Sequence, residues 1–172
     1  MKKIPYIPQK FDYDCGAASA TMVAKGLGVN TNLQEMTKLC NTTKEYGTSP
    51  TLLVEGLQKV GLTATIHDKL RKEDLVSLLS KDCLVILDYW DYEEGHYVVL
   101  SDIVDYGDGT SQIVVVDPAY DLDENDPDPS VAIDWDYFYT NWLDYEVKGN
   151  NRIFSDRLAI VVEKPTSKSS KK

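Results

Sequence analysis

Gln9-Lys-Phe-Asp-Tyr-Asp-Cys-Gly16 is the stretch at which an extended segment is predicted to turn into the first helix of the chain. Two prolines upstream hold the approach extended, because proline fixes φ and disfavours the α region for the residue before it. Asp12 or Asp14 can cap the helix, and the apolar run 17–24 supplies helix formers with a face to bury. Cys15 therefore falls in the first turn of a helix.

Cys15 is a candidate nucleophile because of this position. The unpaired N–H groups and the dipole at a helix start favour negative charge, and so favour the thiolate, the reactive form of cysteine. Gln9 lies upstream and can direct its side-chain amide at an oxyanion beside the sulfur. A lone cysteine on an apolar helix more often packs as a small hydrophobic residue, so the assignment needs support from other residues.

The composition predicts one globular domain. The 172 residues are 42% hydrophobic and 27% charged, which is enough to build a core. We predict a single domain over 1–164 and a disordered polar tail over 165–172. The net charge of −10 disfavours nucleic acid and anionic membranes as partners. The absence of a long apolar run and of a signal peptide predicts no membrane insertion and a cytoplasmic location, and the oligomeric state stays open.

The cysteines and acidic residues do not indicate a metal site. Cys15, Cys40 and Cys83 are an odd number at unrelated spacings, which argues against a disulfide framework and fits a reducing cytosol. The acidic stretch Asp121–Pro129 resembles part of a calcium loop, but its sixth and twelfth positions lack the required glycine and glutamate. We therefore expect a solvated loop there, no metal and no cofactor.

The order of predicted elements is typical of an α+β fold, with helices first and antiparallel strands second. Helices are predicted to start at Cys15, near Leu33, at Pro50, at Lys72 and after Asp134. Strands are predicted over 62–66, 83–87, 96–104, 112–116 and 157–163. A turn at Tyr106–Gly109 joins the third and fourth strands as a hairpin.

That hairpin brings a histidine near a carboxylate. His96 begins one strand and Asp117 ends the other, and a hairpin with residue numbers that sum to roughly 213–215 places the two almost opposite each other. An imidazole oriented by a carboxylate is the arrangement that supports a nucleophile in catalysis. The chain order of Cys15, His96 and Asp117 is also that of papain-like cysteine enzymes.

Three motifs together resemble the peptidase C39 family. They are Gln9-x5-Cys15-Gly, Gly95-His96-Tyr-Val-Val-Leu100 and Val-Val-Val-Asp117-Pro118. The resemblance spans residues 6–162, and it implies a papain-like fold, with Cys15 on the helical half and the other two residues on the sheet. That family consists of cysteine peptidases best known as cytosolic domains of bacterial ABC exporters, where they remove leader peptides after a double glycine.

Carried over by position, the resemblance implies a role for four residues. Cys15 would be the nucleophile, His96 the general base and acid, Asp117 the residue that orients the imidazole, and Gln9 the oxyanion donor together with the Cys15 backbone N–H. The implied function is a cofactor-free cysteine peptidase that acts on a peptide or protein substrate and associates with an exporter.

Two alternatives stay open. One is a C39-like domain that binds a peptide without cutting it, and the other is a papain-like acyl transferase. No transmembrane or ATPase region follows the motifs, so we expect a free-standing domain. Ala17-Ala-Ser-Ala20 follows the Asp-Cys-Gly motif where leader peptidases tend to have bulkier residues and a further cysteine, so specificity for a double glycine is left open.

Overall fold

A computed structural model describes residues 1–91, 94–122, 128–148 and 151–165. The helices are α1 (Cys15–Gly26), α2 (Leu33–Leu39), α3 (Pro50–Lys59), α4 (Lys72–Leu79) and α5 (Trp135–Asn141). The strands are β1 (Thr63–His67), β2 (Cys83–Asp91), β3 (Glu94–Asp105), β4 (Ser111–Val116), β5 (Ser130–Asp134), β6 (Leu143–Lys148), β7 (Asn151–Asp156) and β8 (Ala159–Glu163).

The main sheet has six antiparallel strands in the order β1-β8-β2-β3-β4-β5, and β6 and β7 form a separate two-stranded hairpin. α1, α2 and α3 precede the antiparallel sheet in the chain and pack against it, so the predicted α+β class is confirmed. The central strand β2 is almost fully buried, as expected for a continuous apolar run such as Cys83–Leu87.

The sheet buries both of its faces. Alternate residues of β2, such as Leu84 and Ile86, join α1, α2 and α3 in one apolar cluster. The residues between them, such as Val85 and Leu87, join the side chains of α4 and α5 in a second cluster. The chain therefore has a layer of three helices, the sheet, and a layer of two helices.

Side-chain caps mark the starts of α2 and α3. The Asn32 side chain accepts a hydrogen bond from the Glu35 N–H, and Ser49 accepts one from the Leu52 N–H ahead of a first-turn proline. At α5, Asp134 likewise accepts from the Tyr137 N–H. These helices begin where local hydrogen-bonding chemistry favours them.

The segment that precedes α1 is anchored to the sheet at two points. At a bulge in β3 between Leu100 and Asp102, the Lys2 N–H donates to the Ser101 carbonyl at 2.9 Å. At the other end of the segment, the Gln9 N–H donates to the Pro118 carbonyl at 2.9 Å. The segment therefore crosses the sheet and delivers the chain to the start of α1 beside the end of β4.

Three strands were not predicted from the sequence. They are β5, β6 and β7, and the predicted strand 83–87 extends as β2 to Asp91. The sequence held a partial signal for the β6–β7 hairpin, because the dipeptide Gly149-Asn150 follows the alternating run 143–148. Parts of the predicted loop 121–129 and of the predicted tail 165–172 lie outside the described residues.

Candidate active site

A tight turn places Cys15 at the first position of α1. The Asp14 carboxylate accepts hydrogen bonds from the Lys10 N–H at 3.0 Å and the Phe11 N–H at 3.2 Å. The Asp14 N–H in turn donates to the Phe11 carbonyl at 3.2 Å. Asp14 thus occupies the N-cap position, but its side chain does not cap the helix, and the prediction of a carboxylate cap at Asp12 or Asp14 is wrong.

The side chain of Asp14 faces backwards into the turn, and this leaves the start of α1 without a carboxylate acceptor. The N–H groups of the first helical turn therefore keep their positive electrostatic potential at the Cys15 end of the helix. Cys15 itself is 8% exposed, and its side chain lines a surface cleft. The helix start thus favours negative charge beside a sulfur atom at the edge of the cleft.

The β3–β4 hairpin brings His96 and Asp117 together beside Cys15. The His96 Nε2–H donates to Asp117 Oδ1 at 2.8 Å. The register Val99↔Val116 lies within the predicted range of pairing sums and places residue 117 opposite residue 98, so the contact with His96 is diagonal. His96 is the third residue of β3, not its first.

Asp117 is itself held in a fixed position. The same Oδ1 atom that accepts from His96 accepts from the Ala119 N–H at 2.8 Å, and the Asp117 carbonyl accepts from the Tyr120 N–H at 3.1 Å. The edge of the Tyr89 ring packs against the imidazole at 6.1 Å between ring centroids. These contacts restrict the His96 ring to one orientation.

The orientation of His96 leaves its Nδ1 atom for Cys15, because Nε2 is used by Asp117. Burial lowers the pKa of His96, but hydrogen bonds to Asp117 and Cys15 and the negative charges of both outweigh burial and raise that pKa from 6.5 to about 10. The imidazole is therefore protonated at neutral pH. The arrangement can hold a thiolate–imidazolium pair.

Gln9 is linked by hydrogen bonds to residues next to Asp117 and Cys15. Its backbone is bonded to Pro118, the residue that follows Asp117, and its Nε2–H donates to the Phe11 carbonyl at 3.2 Å. That carbonyl is the one that the Asp14 N–H also binds. The structure thus connects the Gln9 amide to both the Cys15 turn and the end of β4, although the amide is not seen bonded to the sulfur.

A cleft of about 480 Å³ opens beside Cys15 and continues into a second one of about 410 Å³. One wall is the loop 41–48, closed by paired backbone hydrogen bonds between Thr43 and Gly47 at 2.9 Å. The facing wall is the β6–β7 hairpin, through Asp144 and Tyr145. The two walls form a groove in which an extended peptide can lie.

The aromatic residues that precede His96 in the chain do not share one environment. Trp90 lines the cleft, whereas Tyr89 is 3% exposed and belongs to the core. Tyr92 lies outside the described residues. Two acids that the sequence did not single out, Asp88 and Asp144, lie close to Cys15, and the only available signal for Asp88 was a carboxylate that interrupts an apolar strand.

The comparisons with known proteins agree with this geometry. The family model described as "Peptidase C39 family" matches residues 3–125, a range that contains all four of the predicted site residues. The chain belongs to the peptidase C39 family. Its members are cysteine peptidases, so the family places this protein among hydrolases. No curated protein sequence is similar enough to this chain to count as a match.

Solved C39 peptidases share the fold along the length of the chain. A double glycine motif protease from an AMS/PCAT transporter, in complex with a leader peptide, aligns with a TM-score of 0.66 at 18% identity and covers 95% of this chain and 93% of that one. The peptidase domain of Streptococcus ComA, a bifunctional ABC transporter, aligns at 0.63 and 20% identity, with coverage of 95% and 99%.

A C39-like peptidase from Bacillus anthracis aligns with a TM-score of 0.62 at 16% identity, over 95% of this chain and 96% of that chain. At these identities the likeness establishes the C39 papain-like fold and nothing finer. Within the residues that the structure describes, no helix is both long and apolar enough to cross a membrane.

Proposed function

We propose that this chain is a cysteine peptidase that cuts a leader or precursor peptide after small residues such as Gly-Gly. The observation that carries the proposal is the His96 imidazole, which Asp117 Oδ1 holds through Nε2 at 2.8 Å and which lies beside Cys15. In this proposal Cys15 is the nucleophile, His96 the base and Asp117 the carboxylate that orients the imidazole.

The proposed reaction starts from the Cys15 thiolate and the protonated His96 imidazole. The Cys15 thiolate attacks the scissile carbonyl, and His96 donates its proton to the leaving amine, which gives an acyl-enzyme and frees the C-terminal product. Neutral His96 then takes a proton from water, and the resulting hydroxide attacks the thioester. Collapse of that intermediate releases the acid and regenerates the thiolate–imidazolium pair.

The oxyanion is held in this proposal by Gln9 and by the Cys15 backbone N–H. The Gln9 amide nitrogen carries two hydrogens, so one can stay on the Phe11 carbonyl while the other donates to the oxyanion. The anchored turn 9–15 keeps both donors in place before substrate arrives, which is the condition for electrostatic preorganisation.

The substrate class comes from the relatives and from the shape of the cleft. One relative is a double glycine motif protease in complex with a leader peptide, and another is a domain of a bifunctional ABC transporter. The groove beside Cys15 accommodates an extended chain. We propose that the substrate is likewise a peptide precursor, met in the cytoplasm, and that association with an exporter delivers it.

A set of matched peptides tests this function. Peptides that differ only in a central Gly-Gly, Gly-Ala, Ala-Ala or Val-Val pair are incubated with the wild-type chain and with Cys15→Ala, and the products are identified by mass spectrometry. We expect one cut after the small pair, made by the wild-type chain alone. Free glycine or glutathione is added in a parallel series as an acceptor for the acyl group.

The other outcomes each identify a different function. Peptide bound without cleavage, as seen by isothermal titration, would indicate a binding domain. Products joined to glycine or glutathione in place of the free acid would indicate an acyl transferase. If the peptides are neither bound nor cut, the proposed substrate class is wrong.

Gln9→Ala is expected to lower kcat with little change in KM. Loss of one oxyanion donor typically reduces kcat by about 10²–10³-fold, because the donor acts mainly in the transition state. The Gln9 side chain is half-buried and its backbone bond to Pro118 survives the change, so the urea midpoint should stay close to that of the wild type. A kcat near the wild-type value would remove Gln9 from the oxyanion hole.

Asp117→Ala is expected to reduce both activity and stability, and Asp117→Asn is expected to do so less. The alanine leaves the His96 N–H and the Ala119 N–H without their shared acceptor, which typically costs about 1–3 kcal/mol of stability. An asparagine oxygen can still accept from both. Steady-state kinetics and urea unfolding of the two variants check this order, and equal losses would contradict it.

A further inference from the structure

A second carboxylate pair lies in the floor and wall of the cleft. Asp88 is on β2, where Leu84 and Ile86 point toward α1, and the alternation of the strand turns Asp88 to the same side. It is 1% exposed, although it carries an ionisable group. A buried carboxyl in the middle of the sheet is costly unless it is hydrogen-bonded, so its partners define its role.

The partners of Asp88 come from both sides of the cleft. Its Oδ1 atom is buried and receives no hydrogen bond from any described donor, and its carboxyl group interacts with Asp144 of β6 and with Tyr97, its cross-strand neighbour on β3. Asp144 and Tyr97 both line the cleft. A hydrogen bond between two carboxyl groups requires a proton on one of them, because an ionised carboxylate only accepts.

The hairpin that carries Asp144 also touches the main sheet at neighbouring residues. The Tyr145 ring stacks on Trp90 of β2 at 5.4 Å between centroids. A Cβ added at Gly95 would collide with the Asp144 carboxylate, so the absence of a side chain at Gly95 lets the hairpin sit directly on β3 beside His96. The base of the hairpin is fixed separately, by the Arg157 N–H bonded to the Trp142 carbonyl at 2.9 Å.

We propose that Asp88 is a positioning residue whose proton-sharing hydrogen bond to Asp144 holds the β6–β7 hairpin against the main sheet as a wall of the cleft, and that ionisation of both carboxyls releases this wall. The proposal rests on the proposed function only where it calls the cleft the substrate site. The wall, its hydrogen bond and its release are properties of the fold and can be measured without substrate.

Burial and the charges around Asp88 favour the protonated form of its carboxyl group. Burial raises the pKa of Asp88 well above its usual value, and the Asp144 charge, the hydrogen bond to Asp144 and the Cys15 charge raise it further, while the Tyr97 hydroxyl lowers it. A raised pKa means that the folded chain binds the proton more tightly than the unfolded chain. The stabilisation from the pair is therefore present at low pH and lost as pH rises.

Hydrogen exchange of the hairpin amides tests the proposal. The protection of 143–148 and 151–156 is measured by mass spectrometry at pH values from mildly acidic to mildly alkaline, corrected for intrinsic rates, with β8 as the internal reference. In the wild-type chain we expect protection of the hairpin to fall with rising pH by about ten-fold or more, the change expected when a buried group loses its partner. β8 should not follow it.

Three variants separate positioning from a merely structural role. Asp88→Asn donates from its amide without needing a proton, so its hairpin should stay protected at every pH. Asp88→Leu keeps the shape but makes no hydrogen bond, so its hairpin should be weakly protected at every pH. Asp136→Asn, an exposed acid on α5, is the matched control and should behave as the wild-type chain.

Either of two results would overturn the proposal. One is wild-type protection of the hairpin in Asp88→Leu, and the other is the same pH dependence in Asp88→Asn as in the wild-type chain. Loss of β8 protection in Asp88→Leu would show that this variant does not fold. In that case the pH dependence of hairpin protection in Asp88→Asn still tests the proposal. With a cleaved peptide in hand, release of the wall should also raise KM more than it lowers kcat; failure to find a substrate leaves the exchange result intact.

Discussion

Cys15→Ser and Cys15→Ala abolish peptide cleavage, and this is the largest effect we expect from any substitution in the chain. The sulfur is the only proposed nucleophile, and a serine hydroxyl beside His96 lacks the acidity to form the ion pair. We expect kcat to fall by at least about 10⁴-fold, while the free energy of unfolding changes by no more than about 1 kcal/mol. Peptide cleavage and urea unfolding measure the two quantities.

The chain provides its own matched controls for this substitution. Cys40 and Cys83 are buried thiols away from the cleft, and their replacement by serine should leave kcat unchanged while it lowers stability. A Cys15→Ser variant that keeps about a tenth of the wild-type kcat would exclude Cys15 as the nucleophile. So would full loss of activity in Cys40→Ser with an intact fold.

His96→Ala is expected to remove the unusual reactivity of the Cys15 thiol. With the His96 pKa at about 10, the imidazole keeps its proton at neutral pH and stabilises a thiolate beside it. Alkylation of Cys15 by iodoacetamide should therefore be rapid at pH 7 in the wild-type chain. In His96→Ala it should be slow there and rise near about pH 8.5, the value of a free thiol.

Cys40 and Cys83 are internal controls for the alkylation measurement. Burial raises the pKa of Cys40 to about 12, with a smaller opposing effect of Lys59, and burial also raises the pKa of Cys83. Both should react slowly with iodoacetamide at neutral pH in every variant. An identical pH profile for Cys15 in the wild-type chain and in His96→Ala would show that no ion pair exists.

Protonation of His96 also makes the stability of the folded chain depend on pH. The His96 pKa is raised in the folded chain, from 6.5 to about 10, so the stabilisation from its protonated form is complete below the unfolded value and is lost as pH rises through the folded value. The urea midpoint of the wild-type chain should fall over that interval. His96→Gln should show a smaller fall.

Much of the fold was accessible from the sequence because its signals are local. The asparagine and serine caps, the first-turn proline at α3 and the apolar run of β2 each determine an element through contacts within a few residues. The Tyr106–Gly109 turn determines the β3–β4 hairpin, and that hairpin brings His96 near Asp117. The one local error at the site concerns Asp14, whose carboxylate binds the preceding turn instead of the helix.

The walls of the cleft could not be predicted from such local signals in the sequence. A carboxylate at Asp144 and a glycine at Gly95 have no relation in sequence, and they become neighbours only because the β6–β7 hairpin packs on β3. The diagonal contact of His96 with Asp117 depends likewise on the pairing register, which the bulge after Leu100 shifts. Such features follow from tertiary packing, and local propensity does not encode them.

β8 lies between β1 and β2, so the main sheet of this protein stays incomplete until ribosomal synthesis has reached β8. Among the strands that the structure describes, β1 pairs with β8 alone, so a strand made early waits for one made much later before the sheet can close. A ribosome-bound chain that has produced Cys15, His96 and Asp117 still lacks this central strand. The nascent chain is thus expected to lack activity until Glu163 has emerged from the ribosome.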